Sequence, residues 1–367
     1  AVCVRVCPHE KQCEGHCVLN RAGKPIRIGK LEQFIADFDA DMNLIREKIP
    51  PKTRGNVAVI GSGPAGLTVA GDLAMMGFNV TVYEAEDEPG GVLLYGIPEF
   101  RLPKEVVRRE TKRISELGVS FICNSIVGRD ITIDQMFESG FDAVFIGTGT
   151  AISKELNIPG KELTGVIQSH YFLRMVALYN SKSLERKEVP VDEGDTVLVI
   201  GAGNAAMDVA RTAIRKGVQE LTCFSITKQV AASKHEFSYA QLEGVQFEYN
   251  MAPVEIKDDG VIFKDVIENE DGTFTDVPDS THFFPADSVI ISISQGPQNR
   301  IVNTTQGLAA DKRGLLVADE TGHTTRPGIF ASGDVVNGAR TVVEAVAHSK
   351  IVAESMHQYM QSLKDGE

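Results

Sequence analysis

Two glycine-rich turns of the same kind constrain the fold of this 367-residue chain. They are residues 61–66 (GSGPAG) and 201–206 (GAGNAA), and each directly follows a short apolar run. An apolar strand, a glycine turn and a helix form the first half of a βαβ unit whose turn binds the pyrophosphate of a dinucleotide. The predicted fold class is therefore α/β with two Rossmann-like domains. Two dinucleotide sites in one chain favour a redox protein.

The first turn has every residue type that such a site requires. A glycine at the first position permits the tight turn, one at the third lets backbone amides approach the phosphates, and one at the sixth lets helix and strand pack closely. Glu84 ends the next strand, where a carboxylate can accept hydrogen bonds from ribose hydroxyls. The alternative is a glycine turn that only packs. The predicted contacts are Gly61, Gly63, Pro64, Ala65, Gly66 and Glu84.

The second turn keeps the glycines but loses the usual ribose reader. Counting the same distance from its first glycine reaches Phe224 and Ser225, and residues 226–228 follow without a carboxylate or an arginine. A carboxylate reads a free 2′-hydroxyl and an arginine reads a 2′-phosphate. The alternative is a domain that is retained while its site is weak or unused. The predicted contacts are Gly201, Gly203, Asn204 and Ala205.

Periodicity and breakers predict the domain layout. An amphipathic helix is expected over 31–47, and a charged segment without periodicity over 180–194 predicts a boundary before the second βαβ unit. A last strand at 329–334 and a helix over 341–360 are expected to return to the first sheet, so the second domain is inserted into a discontinuous first one. The predicted segments are 1–53 (cysteine-rich, helical), 54–180, 181–297 (the inserted domain) and 298–367.

Four of the six cysteines lie within the first 17 residues. Their C-x3-C-x5-C-x3-C spacing supplies thiolates for one zinc ion or one iron–sulfur cluster, with a disulfide framework as the alternative. The chain begins Ala-Val-Cys without an initiator Met, and an upstream segment is expected to be missing from this sequence.

Composition restricts the classes of partner. A formal net charge of -13 and a pI near 5.2 argue against nucleic-acid binding, which requires clustered Lys and Arg. No apolar run approaches the roughly 20 residues of a membrane span, and the start lacks a signal-peptide pattern. We expect a soluble cytoplasmic protein.

Further motifs carry a resemblance to a known family. They are residues 3–8 with 13–17, 28–32, 89–91 with 96–103, 147–149, the second glycine turn with 207–208, and 333–334 before 341–344. In these the chain resembles, over nearly its whole length, the small (beta) subunit of glutamate synthase. Its relatives include the flavin half of dihydropyrimidine dehydrogenases and the large subunit of electron-bifurcating ferredoxin:NADP oxidoreductases.

The resemblance implies FAD in the first domain and NADH or NADPH in the second. Taken singly, the added FAD-side motifs can be tight loops, and an Asp after Gly can cap a helix. The family's arginine pair for the 2′-phosphate aligns with Ile226 and Thr227, which shifts the expectation toward NADH. The implied additional contacts are Gly90, Gly91, Leu93, Gly147, Thr148, Gly149, Gly333, Asp334, Thr341 and Val342.

For the cysteine segment, the resemblance implies two [4Fe-4S] clusters with ligands interleaved from an upstream cysteine group. Cys7, Cys13 and Cys17 match ligand positions, Cys3 does not, and Glu32 aligns with a non-cysteine ligand. Glu32 can instead stabilise the dipole of the helix that it starts. Either the missing cysteines precede this sequence or a partner chain supplies them.

The predicted function is an FAD-containing electron-transfer subunit that passes electrons between NAD(P)H and the iron–sulfur clusters of a multisubunit complex. No acid or base is required, so no catalytic side chain is predicted. The alternatives are a non-catalytic or flavin-only scaffold with a degenerate nicotinamide site, a zinc-stabilised oxidase or monooxygenase, and a disulfide reductase. The disulfide reductase is disfavoured because the chain has no C-x-x-C pair near the predicted flavin.

Overall fold

The computed structural model describes residues 2–45 and 47–365. The α-helices, numbered in chain order, are α1 (Cys3–Val6), α2 (Ile28–Met42), α3 (Pro64–Met75), α4 (Val92–Tyr95), α5 (Lys104–Glu116), α6 (Ile133–Glu138), α7 (Ser169–Asn180), α8 (Asn204–Arg215), α9 (Lys234–Leu242), α10 (Arg300–Asn303), α11 (Asp334–Asn337) and α12 (Val342–Asp365). The strands are β1 (Asn56–Ile60), β2 (Asn79–Tyr83), β3 (Ser120–Ile122), β4 (Ala143–Ile146), β5 (Ile152–Ser153), β6 (Val166–Gln168), β7 (Thr196–Ile200), β8 (Glu220–Ser225), β9 (Gln246–Tyr249), β10 (Met251–Lys257), β11 (Gly260–Glu268), β12 (Phe274–Pro285), β13 (Ser288–Ile291), β14 (Gln295–Gly296) and β15 (Ile329–Ala331).

The chain divides into two compact units, and the first is discontinuous. The first unit contains the residues up to 94, 99–152, and those from 295 onward, and the second contains 95–98 and 153–294. The second unit is thus inserted into the first, and its main segment begins at residue 153, whereas the prediction placed the boundary at 180/181. The segment before it supplies β6 and α7 to the second unit, because β6 pairs with β13 and α7 packs on α8. The cysteine-rich segment groups with the first unit.

In the first unit a five-stranded parallel sheet has the order β15-β4-β1-β2-β3. Its central strands are apolar and buried on both faces, as is typical of parallel sheets covered by helices. Helices α3 and α12 pack against each other, and Phe78, Phe145 and Phe330 are fully buried in the core. The expected return of the tail is confirmed, because β15 pairs with β4.

The second unit combines two sheets. A parallel sheet has the order β6-β13-β7-β8-β9, and β10, β11 and β12 form an antiparallel meander. Phe224 from the parallel sheet stacks on Phe263 from the meander with ring centroids 3.8 Å apart. This aromatic contact joins the two sheets into one core.

Helix α2 is shorter at its end than the predicted 31–47 helix. It ends at Met42 because Asn43 adopts a left-handed conformation (φ 50°, ψ 48°) that closes the last turn. Residue 46 of the predicted helix lies outside the described residues. The large apolar side chains of α2 remain exposed to solvent. At least half of the accessible surface is retained by each of Leu31, Phe34, Ile35 and Phe38.

Candidate functional site

The first glycine turn is shaped by close backbone approaches. Gly61 has φ 93°, and a methyl group there would lie 2.8 Å from the carbonyl oxygen of Gly147. A methyl group at Gly66 would lie 1.9 Å from the carbonyl oxygen of Gly61, so helix α3 contacts the turn directly. At Gly63, by contrast, a methyl group would meet no atom within 4 Å. The turn therefore leaves its middle glycine facing open space, as a phosphate-binding turn requires.

Glu84 is the centre of a buried hydrogen-bond network. Its Oε2 accepts hydrogen bonds from the Ser62 amide (2.9 Å) and the Ser62 hydroxyl, and its Oε1 accepts one from the Glu86 amide (2.9 Å). The Ser62 hydroxyl also accepts a hydrogen bond from the Gly90 amide at 2.9 Å. Ser62 thus joins three predicted cofactor segments: the turn, the ribose reader and the 90–91 loop. Sequence reasoning missed Ser62 because it occupies a variable position of the glycine pattern.

The distant predicted segments converge on the same turn. A methyl group at Gly91 would lie 3.0 Å from the Cα of Gly63, and one at Gly333 would lie 2.9 Å from the Cβ of Ala65. Gly147 also adjoins the turn, since a methyl group there would lie 3.2 Å from the amide nitrogen of Gly66. The fold therefore brings residues from both parts of the first unit together around the turn.

Asp334, the first residue of α11, directly follows Gly333, the glycine that approaches Ala65. Its Oδ1 accepts a hydrogen bond from the Arg340 amide at 3.2 Å, and burial raises the pKa of its carboxyl to about 6. Thr341 precedes α12 and exchanges hydrogen bonds with Glu344, so it caps this 24-residue helix. An open cavity of about 490 Å³ is lined here by residues that include Asp334, Arg340 and His348.

The second unit repeats the local structure of the first. The Gly147 amide donates to the Ile60 carbonyl at 2.8 Å, and the Ser292 amide donates to the Ile200 carbonyl at 2.8 Å. Gly201 packs against Ser292, the residue after β13, just as Gly61 packs against Gly147, the residue after β4. A methyl group at Gly201 would lie 2.2 Å from the carbonyl oxygen of Ser292. The two βαβ units therefore share one plan.

The second glycine turn has its own polar groups. Gly203 faces open space, like Gly63, and Asn204 accepts a hydrogen bond from the Ser233 amide at 2.8 Å. Among the residues that the structure describes, the Ser292 hydroxyl oxygen is one of the buried polar atoms without a hydrogen-bond partner. A buried hydroxyl without a partner beside a dinucleotide-type turn is suited to a ligand. No sequence motif pointed to Ser292.

The cysteine segment, as far as the structure describes it (residues 2–45), shows no metal-binding group of its own. Within residues 2–45 and 47–365, no three Cys, His, Asp or Glu side chains form a metal-binding group. Burial and the neighbouring thiols of Cys13 and Cys3 raise the pKa of Cys7 to about 11, whereas iron binds the thiolate form. Glu32 is exposed on α2. The donor types fit an iron–sulfur cluster, but the ligand set is incomplete in the described residues.

Across the described ranges, no helix is both long and apolar enough to cross a lipid bilayer.

Comparison with known proteins places these features in a family. Residues 55–349 match the model of the pyridine nucleotide-disulphide oxidoreductase family, and residues 1–44 match the model described as dihydropyrimidine dehydrogenase domain II, 4Fe-4S cluster. The chain is 34% identical over 384 residues to the glutamate synthase [NADPH] small chain of Escherichia coli K12, covering 98% of this chain and 80% of that protein. It is 33% identical over 363 residues to the NAD-dependent dihydropyrimidine dehydrogenase subunit PreT of the same strain, with coverage of 98% and 82%.

Among solved structures, Mycobacterium tuberculosis FprA in complex with NADPH has the same fold. The TM-score is 0.70 at 18% identity, with 86% of each chain covered. The matches together confirm the predicted fold class, the oxidoreductase class, and FAD, a nicotinamide nucleotide and a 4Fe-4S cluster as cofactors. The chain belongs to the glutamate synthase small-chain family of pyridine nucleotide-disulphide oxidoreductases.

Proposed function

We propose that this chain is the FAD-containing subunit of a multisubunit redox complex and connects a nicotinamide nucleotide with iron–sulfur clusters. The observation that carries the proposal is the duplicated dinucleotide turn: each unit places a glycine that faces open space at the start of a helix. Bound flavin exchanges two electrons with nicotinamide and single electrons with metal clusters. The protein residues then have to bind and orient the groups, and no side chain has to act as an acid or base.

We assign FAD to the first unit. Glu84 would accept hydrogen bonds from the ribose hydroxyls, and the turn at Gly63 would bind the pyrophosphate at the start of α3. Gly91 and Gly333 lie so close to this turn that a side chain at either position would collide with it. Asp334 would contact the part of the cofactor beyond the pyrophosphate. Four further predicted contacts, Pro64, Ala65, Gly66 and Gly90, adjoin these residues along the chain, and Leu93 follows shortly after. Gly147, which lies beside Gly66, and its neighbours Thr148 and Gly149 are proposed for the same site, as are Thr341 and Val342 at the start of α12.

We assign the nicotinamide nucleotide to the second unit. Its pyrophosphate would bind at Gly203, Asn204 and Ala205, where α8 begins. Ser292 would offer its buried hydroxyl to the same nucleotide. The assigned segments differ from the predicted domain bounds, since the nicotinamide domain would run from residue 153 rather than 181.

For the clusters, we propose Cys7, Cys13, Cys17 and Glu32 as ligands. Because no three metal-binding side chains group within the part of the chain that the structure describes, other residues have to complete the ligand sets. The large apolar side chains of α2 remain exposed nearby in sequence, and an exposed apolar face marks a surface for another polypeptide. The exposed face of α2 supports a partner polypeptide, and the missing ligands would come from that partner or from cysteines that precede this sequence. The glutamate synthase small chain, by its name, also belongs to a larger assembly.

We also propose a cytoplasmic location. All six cysteines are free thiols, which is the state that a reducing compartment maintains.

An anaerobic titration tests the proposal. The intact complex is analysed for iron and FAD and then titrated with NADH and NADPH, while flavin and cluster absorbance are recorded. Bleaching of both chromophores is expected. Absence of bleaching with either nucleotide refutes the nicotinamide role, and absence of iron refutes the cluster assignment.

Two matched variants distinguish the two sites. A methyl group at Gly63 or Gly203 meets no protein atom within 4 Å, so both variants should fold normally. Gly63→Ala should lower the FAD content, whereas Gly203→Ala should retain FAD and slow its reduction by nucleotide. The reverse pattern would exchange the assignments, and normal behaviour of both would exclude these turns as binding sites.

A further inference from the structure

We propose that the nicotinamide site reads the adenine ribose through the hydroxyl groups of Ser225 and Thr227 in the loop 225–229, without a carboxylate or an arginine pair, and therefore accepts NADH and NADPH with comparable efficiency. The inference rests on the proposed function, because it specifies the nucleotide class of that same site. Its basis is a comparison between the two units of this chain.

The backbone register identifies the residue that reads the ribose. In the first unit the Gly61 amide donates to the Tyr83 carbonyl at 2.8 Å, and Glu84 is the next residue. In the second unit the Gly201 amide donates to the Phe224 carbonyl at 3.0 Å, and Ser225 is the next residue. Ser225 therefore occupies the position of Glu84. The count along the sequence did not decide between Phe224 and Ser225. The reason is that the second unit has one more residue than the first between its first turn glycine and the reader position.

The Ser225 loop has hydroxyl groups where the first unit has a carboxylate. Ser225 is buried, and its hydroxyl lies 3.0 Å from that of Thr227. The Thr227 hydroxyl in turn lies 2.6 Å from the carbonyl oxygen of Gln229 and donates to it. These contacts define a compact polar loop without charge at its base.

The neighbouring strand does not supply the missing carboxylate. Ser225 pairs in register with Tyr249, while Glu248 pairs with Phe224. Successive side chains along a strand point to opposite faces, so Glu248 belongs to the face opposite to that of Ser225. Lys228 is the cation nearest in sequence and is exposed, but one ammonium group does not replace a pair of arginines.

A loop with hydroxyl groups at the reader position fits both nucleotides. A carboxylate accepts hydrogen bonds from the ribose hydroxyls and repels a 2′-phosphate, whereas arginines attract the phosphate. A serine or threonine hydroxyl can accept a hydrogen bond from a 2′-hydroxyl while it donates to the Gln229 carbonyl, or it can rotate away from that carbonyl and donate to a phosphate oxygen. The loop therefore has no group that rejects either nucleotide.

The test compares kcat/KM for flavin reduction by NADH and NADPH in the intact complex. The expected wild-type ratio lies within about tenfold of one, since strong rejection requires a repelling or unpaired group. Thr227→Arg should shift the ratio toward NADPH by about tenfold or more, and Ser225→Glu should shift it equally toward NADH. Because a carboxylate introduced at the buried position of Ser225 can unfold the unit, Thr227→Glu places the same charge on a less buried position. Ser183→Glu and Thr281→Arg, at exposed positions elsewhere in the second unit, are the matched controls.

A wild-type preference beyond tenfold, or a ratio that the charged variants leave unchanged, overturns the inference. If neither nucleotide reduces the flavin, the proposed function fails. Calorimetric titration of the wild type and the same variants with NADH and NADPH then still tests the inference about the Ser225 loop. Selective binding of one nucleotide by the wild type, or no binding of either, overturns that inference.

Discussion

Ser62→Ala tests whether one buried hydroxyl holds the FAD site of the first unit together. The hydroxyl donates to Glu84 and accepts from the Gly90 amide, and Ser62 is 0% exposed. Glu84 keeps two other donors, the Ser62 and Glu86 amides, so its carboxylate stays in place in the variant. The Gly90 amide, however, loses its acceptor in a buried position.

The expected cost follows from these two changes. Loss of a hydrogen bond to a charged group costs roughly 1.5–3 kcal/mol, and a buried donor without an acceptor costs roughly 1–3 kcal/mol. The two terms share one hydroxyl and do not simply add, so the free energy of unfolding should fall by about 2–4 kcal/mol. Because Gly91 lies close to Gly63, release of the loop should also lower FAD affinity.

The assay has two readouts: urea unfolding of the flavin-free protein followed by circular dichroism, and the FAD content after purification. Ser115→Ala, on the exposed side of α5, is the control for a serine-to-alanine change in the same unit. A loss of stability below about 1 kcal/mol with unchanged FAD content would refute the role given to the Ser62 hydroxyl, because the lower limit of either contribution is near that value.

Three further predictions use the same unfolding and binding assays. Gly66→Ala should lower the free energy of unfolding by roughly 1–3 kcal/mol, because the new methyl group would lie 1.9 Å from a carbonyl oxygen. Gly71→Ala is the control in the interior of the same helix, α3, where the nearest atom to the new methyl group is 3.8 Å away. It should raise the free energy of unfolding by roughly 0.5–1 kcal/mol. Burial raises the pKa of Asp334 to about 6, so the folded state binds the proton more tightly than the unfolded state does. The free energy of unfolding should therefore fall as pH rises from about 4 to about 6. Asp334→Asn should reduce the difference between the free energies of unfolding measured at about pH 4.5 and at about pH 7. Ser292→Ala removes a buried hydroxyl without a partner, so stability should be unchanged or higher by about 1 kcal/mol while calorimetry shows weaker nucleotide binding; destabilisation with normal binding would contradict the role proposed for it.

The sequence predicted best those parts of the site that backbone geometry dictates. Gly61, Gly66 and Gly333 stand where a side chain would collide with a neighbouring backbone or side-chain atom, and such positions restrict the residue type to glycine. The carboxylate of Glu84 was predictable because it follows a buried strand at a known distance from the turn. Its partner Ser62 was not, because many small residues are compatible with that position of the pattern.

The first segment of the second unit, residues 153–180, could not be assigned from the sequence, for a different reason. Strand β6 has three residues and pairs only with β13, which lies more than 100 residues later in the chain. Neither its composition nor its periodicity distinguishes it from a loop, whereas the charged segment at 180–194 has the composition of a linker. Only the long-range pairing assigns β6 and α7 to the second unit.

The difference between the two proposed ribose readers, Glu84 and Ser225, would suit the different tasks of a resident cofactor and an exchanging one. Around Glu84, buried hydrogen bonds from Ser62 and Glu86 fix the carboxylate before any ligand binds, and such preorganisation lowers the cost of ordering on binding. Around Ser225 the contacts lie within one short loop, and no carboxylate is fixed there before the ligand binds. A tightly held FAD benefits from the first arrangement, because it stays bound through every turnover. A nicotinamide nucleotide has to leave after each hydride transfer, so the weaker and less selective grip of the second arrangement favours turnover over affinity.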